Sequence, residues 1–552
     1  MDIKIPSFST QEVDLHIRTY RSLLKSAGEV RIEQLIDSHV GMKSLLHEKG
    51  ATDTIDMSAF IYCLLRLPSC MSTVTTVVLG QSYSVFKKNG WGKIIRWKEV
   101  SAPGRRRKMY FNGRDTLAVY ITSVSDVDDI ITLLTAFQIE WNKFHMKLRE
   151  VKDVALKTKT LLDPEDVQKI QNIWGDEYHK FLTAIKHRTV NVTVKLIEGS
   201  YIEYAKATQQ WLDHIMFMSK RLNLHKRPVY FISSNLHSIT NLLTRTALEK
   251  EKELIKFLYE TKDATLIGVW EGIERKAYPI HRDHFLYYLA KKYVKIDKDL
   301  IDRKRAKERL FGIRHISALH YLDIDAQIIE VSKLSQATLD ERLHLTMAGL
   351  AKSRSVIINI DYPLGWAAYQ VLTEIGQNVD EVRGVYIMGK AATLNGQIGD
   401  IMIPNTIFDS HTKNIYVIQN AFSRTDFTPL FNAGSILDQQ KTLTAKGTVL
   451  QNKKNIEEWY KQGYETIEME AGPYMNATYE YAFYNRYEEG QFINLTKPPF
   501  ELGIVHYASD TPYSKAKNLG VRNLSYDGIE STYAISLAIL KKIVQRELSF
   551  LE

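Results

Sequence analysis

The stretch SVIINIDYPLG (Ser355–Gly365) decides the fold class of the second half of the chain. Its first six residues form a nearly continuous apolar run, which is the pattern of a strand buried on both faces of a parallel sheet. A turn containing Asp, Pro and Gly follows, and WAAYQVLTEIG (Trp366–Gly376) then has apolar residues at helical spacing. Because strand, turn and helix in this order are the repeating unit of α/β proteins, we predict an α/β domain here.

Further segments downstream continue this alternation. Strands are predicted for VRGVYIMG (Val382–Gly389), IGDIMIP (Ile398–Pro404) and LGIVHYASD (Leu502–Asp510). YETIEMEAG (Tyr464–Gly472) is predicted to open a helix. The expected architecture is a three-layer domain whose central sheet is mostly parallel or mixed.

Four charged residues occupy the ends of the predicted strands or the start of the predicted helix. They are Asp361, Lys390, Glu470 and Asp510. Ligands of open α/β sheets bind beyond the carboxyl ends of the strands, so we expect these four side chains to converge on one pocket.

The first half of the chain has a different pattern of predicted helices and strands. We predict a helical segment at 1–72, a domain of α/β and helical character but unknown role at 73–300, and the α/β domain at 310–552. Residues 151–225 are predicted to be almost entirely helical, and the charge-dense segment 291–309 is predicted to be a solvated helix joining two domains. Predicted strands in this half include Thr76–Gly80, Thr116–Val124, Pro228–Ile232 and Ala264–Trp270.

Composition restricts the class of protein. Hydrophobic residues at 44% and charged residues at 25% match an average globular protein, which excludes wholesale disorder. No stretch approaches the roughly 18 to 20 apolar residues of a membrane span, and the N-terminus lacks the pattern of a leader peptide, so a cytoplasmic location is expected. The two cysteines, Cys63 and Cys70, form no metal-binding motif. A net charge of +9 is a mild excess for 552 residues and suits an anionic small molecule.

Three segments of the second half resemble motifs of the nucleoside phosphorylase superfamily, which also contains nucleosidases. GKAATLNGQIGDIMIPN (Gly389–Asn405) resembles its glycine-rich turn and "GDxVIP" segment, IEMEAG (Ile467–Gly472) its ribose-binding segment, and VHYASDTP (Val505–Pro512) its base-binding segment. They occur in the family's order, after a strand-turn-helix that fits its early glycine-rich region. The resemblance covers roughly 312–552; the full-length arrangement is similar to uncharacterised bacterial proteins.

This resemblance implies cleavage of the N-glycosidic bond of a purine nucleoside or nucleotide. A purine anion is a poor leaving group, so an acid must protonate the base, and Asp510 matches the family's position for that acid. Glu470 matches the ribose-binding glutamate, and Met469 matches the apolar residue that packs on the sugar. The remaining predicted substrate contacts are Gly389, Lys390, Ser509, His506 and Asp361. No metal or organic cofactor is implied, and a homo-oligomer is expected by analogy.

The sequence departs from the phosphorylase pattern where phosphate binds. Ile387 stands where phosphorylases of the hexameric type have an arginine, and Lys390 stands where their turn has a serine. Asp361 places a carboxylate in the early turn, where it would repel phosphate. We therefore expect hydrolysis, with Lys390 holding the phosphate of a nucleotide substrate. Glu330 and Asp361 are the candidates for activating water. The alternative is a catalytically silent protein that binds or senses a nucleotide in the same pocket.

The basic run Gly104–Lys108, followed by Tyr110 and Phe111, is the most distinctive feature of the first half. Basic side chains beside aromatic rings suit phosphates and stacked bases, so nucleic-acid binding is one hypothesis. The plainer interpretation is a solvated loop between strands. Plainer interpretations also exist for Asp510 as a turn cap, for Glu470 as an acid in a first helical turn, and for His506 as a core histidine.

Overall fold

The computed structural model of the protein describes residues 11–294, 297–318, 320–337, 340–512 and 528–552. Its described strands form a six-stranded sheet and an eleven-stranded sheet. Helices cover both sheets, so the protein is an α/β protein with mixed sheets, as predicted.

The smaller sheet has the strand order β1-β6-β2-β5-β4-β3. Its strands are β1 (Glu29–Arg31), β2 (Thr76–Gly80), β3 (Lys98–Ala102), β4 (Arg105–Phe111), β5 (Thr116–Tyr120) and β6 (Thr193–Leu196). The central strand β2 pairs in parallel with β5 and β6, and its residues 77–80 are all buried. The predicted loop at Gly104–Lys108 is wrong, because residues 105–108 lie within β4, a strand that pairs with β3 and β5.

Helices α1 to α8 lie beside this sheet, whereas most of the buried residues of α9 pack into the core of the larger sheet. These helices are α1 (Gln11–Ala27), α2 (Ile36–Gly41), α3 (Met57–Arg66), α4 (Tyr83–Phe86), α5 (Val124–Leu148), α6 (Val154–Leu161), α7 (Pro164–Trp174), α8 (Tyr178–His187) and α9 (Tyr201–Met218). The helical predictions for 1–72 and 151–225 are confirmed for most of the described residues, but each range also contains a strand, β1 and β6 respectively.

The larger sheet contains the strands of the second half and one from the first. They are β7 (Pro228–Ser233), β8 (Ile313–Ile316), β9 (Ala326–Glu330), β10 (Val356–Ile360), β11 (Glu381–Thr393), β12 (Ile401–Asp409), β13 (Ile415–Ile418), β14 (Ile436–Thr444), β15 (Tyr464–Glu468), β16 (Phe492–Leu495) and β17 (Glu501–Asp510). Strand β7 lies between β10 and β11 and is parallel to both. The predicted division between 73–300 and 310–552 therefore cuts through this sheet.

Five strands of the larger sheet close on themselves. β11 pairs with β17, β17 with β12, β12 with β14, β14 with β15, and β15 with the end of β11. The segment 464–468, predicted as the opening of a helix, is thus strand β15, and the helix begins at Ala471. The closed ring places the ends of β11, β15 and β17 next to one another.

Helices pack on both faces of the larger sheet. They are α10 (Ser238–Thr244), α11 (Thr246–Glu249), α12 (Glu251–Glu260), α13 (Ala264–Glu274), α14 (Arg282–Tyr293), α15 (Lys298–Leu310), α16 (Ala367–Asn378), α17 (Arg424–Phe427), α18 (Lys453–Lys461), α19 (Ala471–Ala482) and α20 (Ile529–Leu551). Alternate residues of β7 enter different cores: Tyr230 and Ile232 pack beneath α14 and α20, whereas Val229 and Phe231 pack beneath α16 and α19. This is the predicted three-layer arrangement.

Two predictions about the helical region at 264–310 require correction. The segment Ala264–Trp270 is not a strand but the start of α13, because Asp263 caps it by accepting a hydrogen bond from the Leu266 amide (3.1 Å). The charged segment 291–309 is largely helical as predicted, but it does not join two domains. Its helix α15 packs Leu300 into the core beneath the larger sheet.

None of the helices in the described part of the chain has the length and apolar character needed to cross a bilayer. The cytoplasmic location and the homo-oligomer stay predictions.

The smaller sheet docks on the larger one at the turn that follows β10. The Trp366 amide donates to Ser125 Oγ (2.9 Å), and Ser123 Oγ donates to the Leu364 carbonyl (3.2 Å). Between them, Gly365 has a φ of +53°, and a Cβ added there would lie 2.6 Å from Ser125 Cβ. A glycine is therefore required both by the left-handed backbone and by the close approach of α5.

We expect Gly365→Ala to lower the free energy of unfolding by about 3 kcal/mol, because it adds a steric clash to the cost of a left-handed alanine. The matched control is Gly490→Ala. Gly490 also has a positive φ (+74°), but nothing lies within 4 Å of its added Cβ. The control should lose only about 1 to 2 kcal/mol in urea unfolding. Equal losses in the two variants would mean that the docking of α5 tolerates a larger side chain.

Candidate active site

A cavity of about 770 Å³ opens at the carboxyl ends of β7, β10, β11, β15 and β17. We call it the main cavity. Six of the eight predicted site residues line it: Asp361, Lys390, Met469, Glu470, Ser509 and Asp510. The convergence expected from the strand ends is therefore present. The parallel pairing of β7, β10, β11 and β17 brings Asp361 and Asp510, which are 149 positions apart in the sequence, to the same edge of the sheet.

Gly389 and His506 do not line this cavity. They pair across β11 and β17, and a Cβ at residue 389 would lie 2.6 Å from His506 Nδ1. His506 is 1% exposed, neither ring nitrogen has a hydrogen-bond partner among the described residues, and burial lowers its pKa to about 3. The positions of these two residues do not support the prediction that they contact the substrate. The burial of His506 agrees with its interpretation as a core histidine.

Glu470 belongs to a pair of neighbouring glutamates. Glu468 Oε2 accepts hydrogen bonds from the amides of Glu470 and Ala471 (both 2.6 Å), and Glu470 Oε1 accepts one from the Gly365 amide (3.2 Å). Burial and the charge of Glu468 raise the pKa of Glu470 to about 8. Burial also raises the pKa of Glu468. The folded pair therefore retains a proton that isolated glutamates release.

Asp510 and Ser509 lie at the end of β17, which pairs with the end of β11 on the side opposite to β15. Asp510 lies across from Ala392, and Ser509 Oγ donates to Asp510 Oδ2 (2.6 Å), which fixes the orientation of the carboxyl group. Tyr62 of α3 is within electrostatic reach of Asp510, and burial raises the pKa of this tyrosine to about 12. Helix α3 thus borders the cavity beside the predicted general acid.

The two candidates for activating water lie in different places. Asp361 lines the main cavity and forms an ion pair with Arg106, whose guanidinium group lies 4.5 Å from the Tyr362 ring centre. Glu330 instead ends β9 beside the first residue of β10, at the opposite end of the sheet, where it faces Arg227 (3.7 Å) and Arg314 (3.5 Å). Its position excludes Glu330 from the chemistry of this cavity.

The basic run of β4 forms part of the cavity wall. Arg105 Nη1 donates to Asp129 Oδ2 (2.8 Å), and Arg107 donates to the carbonyls of Asp323 (2.8 Å) and Tyr362 (3.1 Å). The Arg105 and Arg107 side chains are only 5% and 7% exposed, so they cannot form a nucleic-acid-binding surface. The arginines of β4 are instead held at the junction of the two sheets.

Sequence reasoning missed the contribution of the first half of the chain to this site. Tyr62, Arg66, Arg105, Arg106 and Arg107 all line the main cavity. The basic run was the signal that could have found the arginines, because a charged strand beside buried strands needs acidic partners elsewhere. No sequence signal identified Tyr62 and Arg66, since α3 carries no motif.

The turn after β7 also reaches the cavity, through Asn235, Leu236 and His237. Asn235 Oδ1 accepts hydrogen bonds from the amides of His237 (3.0 Å) and Ser238 (2.7 Å), so its side chain supplies an acceptor to two amides at the start of α10. Within the described ranges, no group of three His, Cys, Asp or Glu side chains is arranged to hold a metal ion.

The chain belongs to the family described as a family of unknown function (DUF6909), whose model matches residues 32–545. No curated protein matches the sequence. Among solved structures it is similar to a putative methylthioadenosine nucleosidase from Weissella paramesenteroides, with 10% identity and a TM-score of 0.29 over 44% of this chain and 91% of that chain.

It is also similar to uridine phosphorylase from Vibrio fischeri, with 10% identity and a TM-score of 0.30 over 44% of this chain and 88% of that chain. A further match is a putative 5'-methylthioadenosine/S-adenosylhomocysteine nucleosidase from Borrelia burgdorferi, with 13% identity and a TM-score of 0.25 over 44% of this chain and 92% of that chain.

The glutamate pair predicts a pH dependence of stability. The folded chain keeps a proton that the unfolded chain loses above a pKa of about 4.3, so the free energy of unfolding should fall as the pH rises from about 5 to 8. Glu470→Gln should make this slope shallower by up to about 1.4 kcal/mol per pH unit.

Urea unfolding at several pH values measures this slope. The control is Glu488→Gln, which removes an exposed carboxylate outside the cavity. Identical slopes in the wild type and the Glu470 variant would show that Glu470 titrates normally.

Proposed function

We propose that this protein hydrolyses the N-glycosidic bond of a purine nucleoside or nucleotide. The observation that carries the proposal is the meeting of Asp510, Glu470 and Lys390 in one cavity, from three separate strand ends. These are the positions at which the segments resembling the superfamily place the acid toward the base, the ribose ligand and a phosphate contact.

Asp510 is the proposed general acid. When the bond between C1′ and the base nitrogen breaks, the electron pair stays on the base, and a proton from Asp510 neutralises it. The Ser509 hydroxyl holds the carboxyl group in one orientation. Positioning of this kind keeps the proton aimed at the leaving nitrogen.

Glu470 and Met469 are proposed to hold the ribose. The raised pKa of Glu470 keeps its carboxyl group protonated at neutral pH, so it offers both a donor and an acceptor to the sugar hydroxyls. Met469 lies beside it in the cavity wall and supplies an apolar surface for the sugar ring. Together they hold the ribose while positive charge develops at C1′.

Asp361 is the proposed base that activates water. The water oxygen forms the new bond to C1′, and Asp361 accepts the proton that this water loses. Its ion pair with Arg106 fixes the carboxylate in the cavity. The positive charge of Arg106 also offsets the negative charge of Asp361, which was expected to repel phosphate. The assay of base release therefore compares reactions with and without phosphate.

Lys390 is proposed to bind the phosphate of a nucleotide substrate. It is exposed, and among the described residues its side-chain amine forms no hydrogen bond or ion pair. Arg66 and Arg106 line the same cavity. A phosphate placed among these groups gains charge-assisted hydrogen bonds.

Release of free base from purine and pyrimidine nucleosides and nucleotides, with and without phosphate, tests the proposal. We expect release without phosphate and a loss of about 100-fold or more in kcat for Asp510→Asn. The matched control is Asp213→Asn, which changes an exposed carboxylate on α9 and should leave the rate unchanged. Lys390→Met should raise KM for nucleotides about tenfold or more, while leaving nucleosides unaffected.

Two outcomes would contradict parts of this proposal. Base release that requires phosphate would keep the bond cleavage but replace hydrolysis by phosphorolysis. Full activity in Asp510→Asn would remove the assigned acid.

A nucleotide-binding protein without catalysis is the second candidate. The observation that favours it is the Arg106–Asp361 ion pair, which occupies the carboxylate that hydrolysis needs for water. Nucleotide binding without base release from any substrate would establish this alternative.

A further inference from the structure

A second chamber of about 340 Å³ adjoins the main cavity, and the proposed reaction does not use it. We call it the tyrosine chamber. Four tyrosines line it in addition to Tyr362: Tyr287, Tyr288, Tyr507 and Tyr533. They come from α14, β17 and α20, so the chamber lies beneath the helices on one face of the larger sheet.

The two chambers share one wall. Both are lined by Arg106, Asn235, His237, Lys291, Tyr362, Lys390 and Ser509. Three of these shared residues are cationic, and Lys304 adds a fourth positive charge within the tyrosine chamber. No carboxylate is found among the described residues that line this chamber. The wall between the chambers is therefore rich in basic side chains.

The electrostatics of His237 support this description. His237 is partly buried, and burial followed by the charges of Lys291, Lys304, Arg106 and Lys390 lowers its pKa to about 3. Two carboxylates that pair with these basic groups are not among the lining residues of the tyrosine chamber: Asp361 pairs with Arg106, and Glu308 lies 4.0 Å from Lys304. A bound anion would stabilise this arrangement more than water does.

The tyrosine chamber also offers ordered polar groups. Lys304 Nζ donates to Asn241 Oδ1 (2.7 Å), and Asn241 Nδ2 donates to the Tyr533 hydroxyl (2.9 Å). These groups stand among aromatic faces that suit stacking with a planar ring. The combination of planar apolar surface, a few fixed polar groups and cations at the entrance is typical of a nucleotide subsite.

We propose that the tyrosine chamber is a second subsite and that the substrate is a dinucleotide, in which a diphosphate joins two nucleosides. This inference rests on the proposed glycosidic cleavage. One nucleoside lies in the main cavity, where Asp510 and Glu470 act on its glycosidic bond. The diphosphate lies on the cations of the shared wall, and the second base stacks in the tyrosine chamber.

Binding measurements separate this inference from the cleavage reaction. The probes are adenosine 5′-monophosphate and diadenosine diphosphate, measured by calorimetry. We expect the dinucleotide to bind about tenfold more tightly than the mononucleotide, because a stacked base contributes a factor of that order. Equal affinities of the wild-type protein for the two probes would overturn the second subsite, whatever the variants do.

Two variants localise the effect. Lys304→Gln and Tyr288→Leu should each weaken dinucleotide binding about tenfold, while the affinity for the mononucleotide and base release from adenosine stay unchanged. The control is Lys307→Gln, one turn along α15, because Lys307 pairs with Glu249 outside both chambers. Equal weakening of both probes by the two chamber variants would contradict the proposal.

The two hypotheses fail in different ways. If no substrate releases base, the proposed function fails, but the ratio of the two affinities still decides whether the second subsite exists. If base is released from adenosine and the two affinities are equal, the cleavage stands and the dinucleotide substrate is excluded.

Discussion

The contact between the arginines of β4 and the turn after β10 is the interaction on which the site depends. Arg106 pairs with Asp361, and Arg107 binds the carbonyls of Asp323 and Tyr362. Arg107 is nearly buried, so these bonds form away from bulk water, where a guanidinium left without partners would be costly. The smaller sheet is thereby held against the larger one, and the main cavity acquires a wall that the larger sheet alone does not supply.

The charge distribution follows from this contact. Acidic groups that act in the proposed reaction lie at strand ends of the larger sheet, whereas cations reach the cavity from β4, α3, α14 and β11. Glu470 lies between these two sets, close to Glu468 and within reach of Arg107. A site that binds an anionic substrate and also protonates a leaving base needs both basic and acidic side chains. Rigid helices and strands must hold these two sets at separate positions.

Local patterns predicted the strands and the residues at their ends. The apolar runs at 355–360, 382–389 and 502–510 are strands because buried parallel strands have no polar face. Convergence of Asp361, Lys390, Glu470 and Asp510 followed from sheet geometry alone. Contacts between distant segments were not predictable in this way. The Arg106–Asp361 pair joins residues 255 positions apart, and nothing near either residue indicates its partner. The error at 264–270 arose because a short apolar run does not distinguish a strand from a buried helix.

The central position of β7 has a consequence for synthesis of the chain on the ribosome. Both neighbours of β7 are made later, β10 beginning roughly 120 residues downstream and β11 later still. At about 5 to 20 residues per second, this strand waits on the order of 6 to 25 seconds before it can pair. Its residues Val229–Ile232 carry large aliphatic or aromatic side chains on both faces and are fully buried in the folded chain, so they would attract other strands or chains during that time. Helices α10 to α15 emerge directly after β7, and they contribute residues to the core cluster that contains Tyr230 and Ile232. The long helical insertion thus serves as an internal cover for a strand whose sheet does not yet exist.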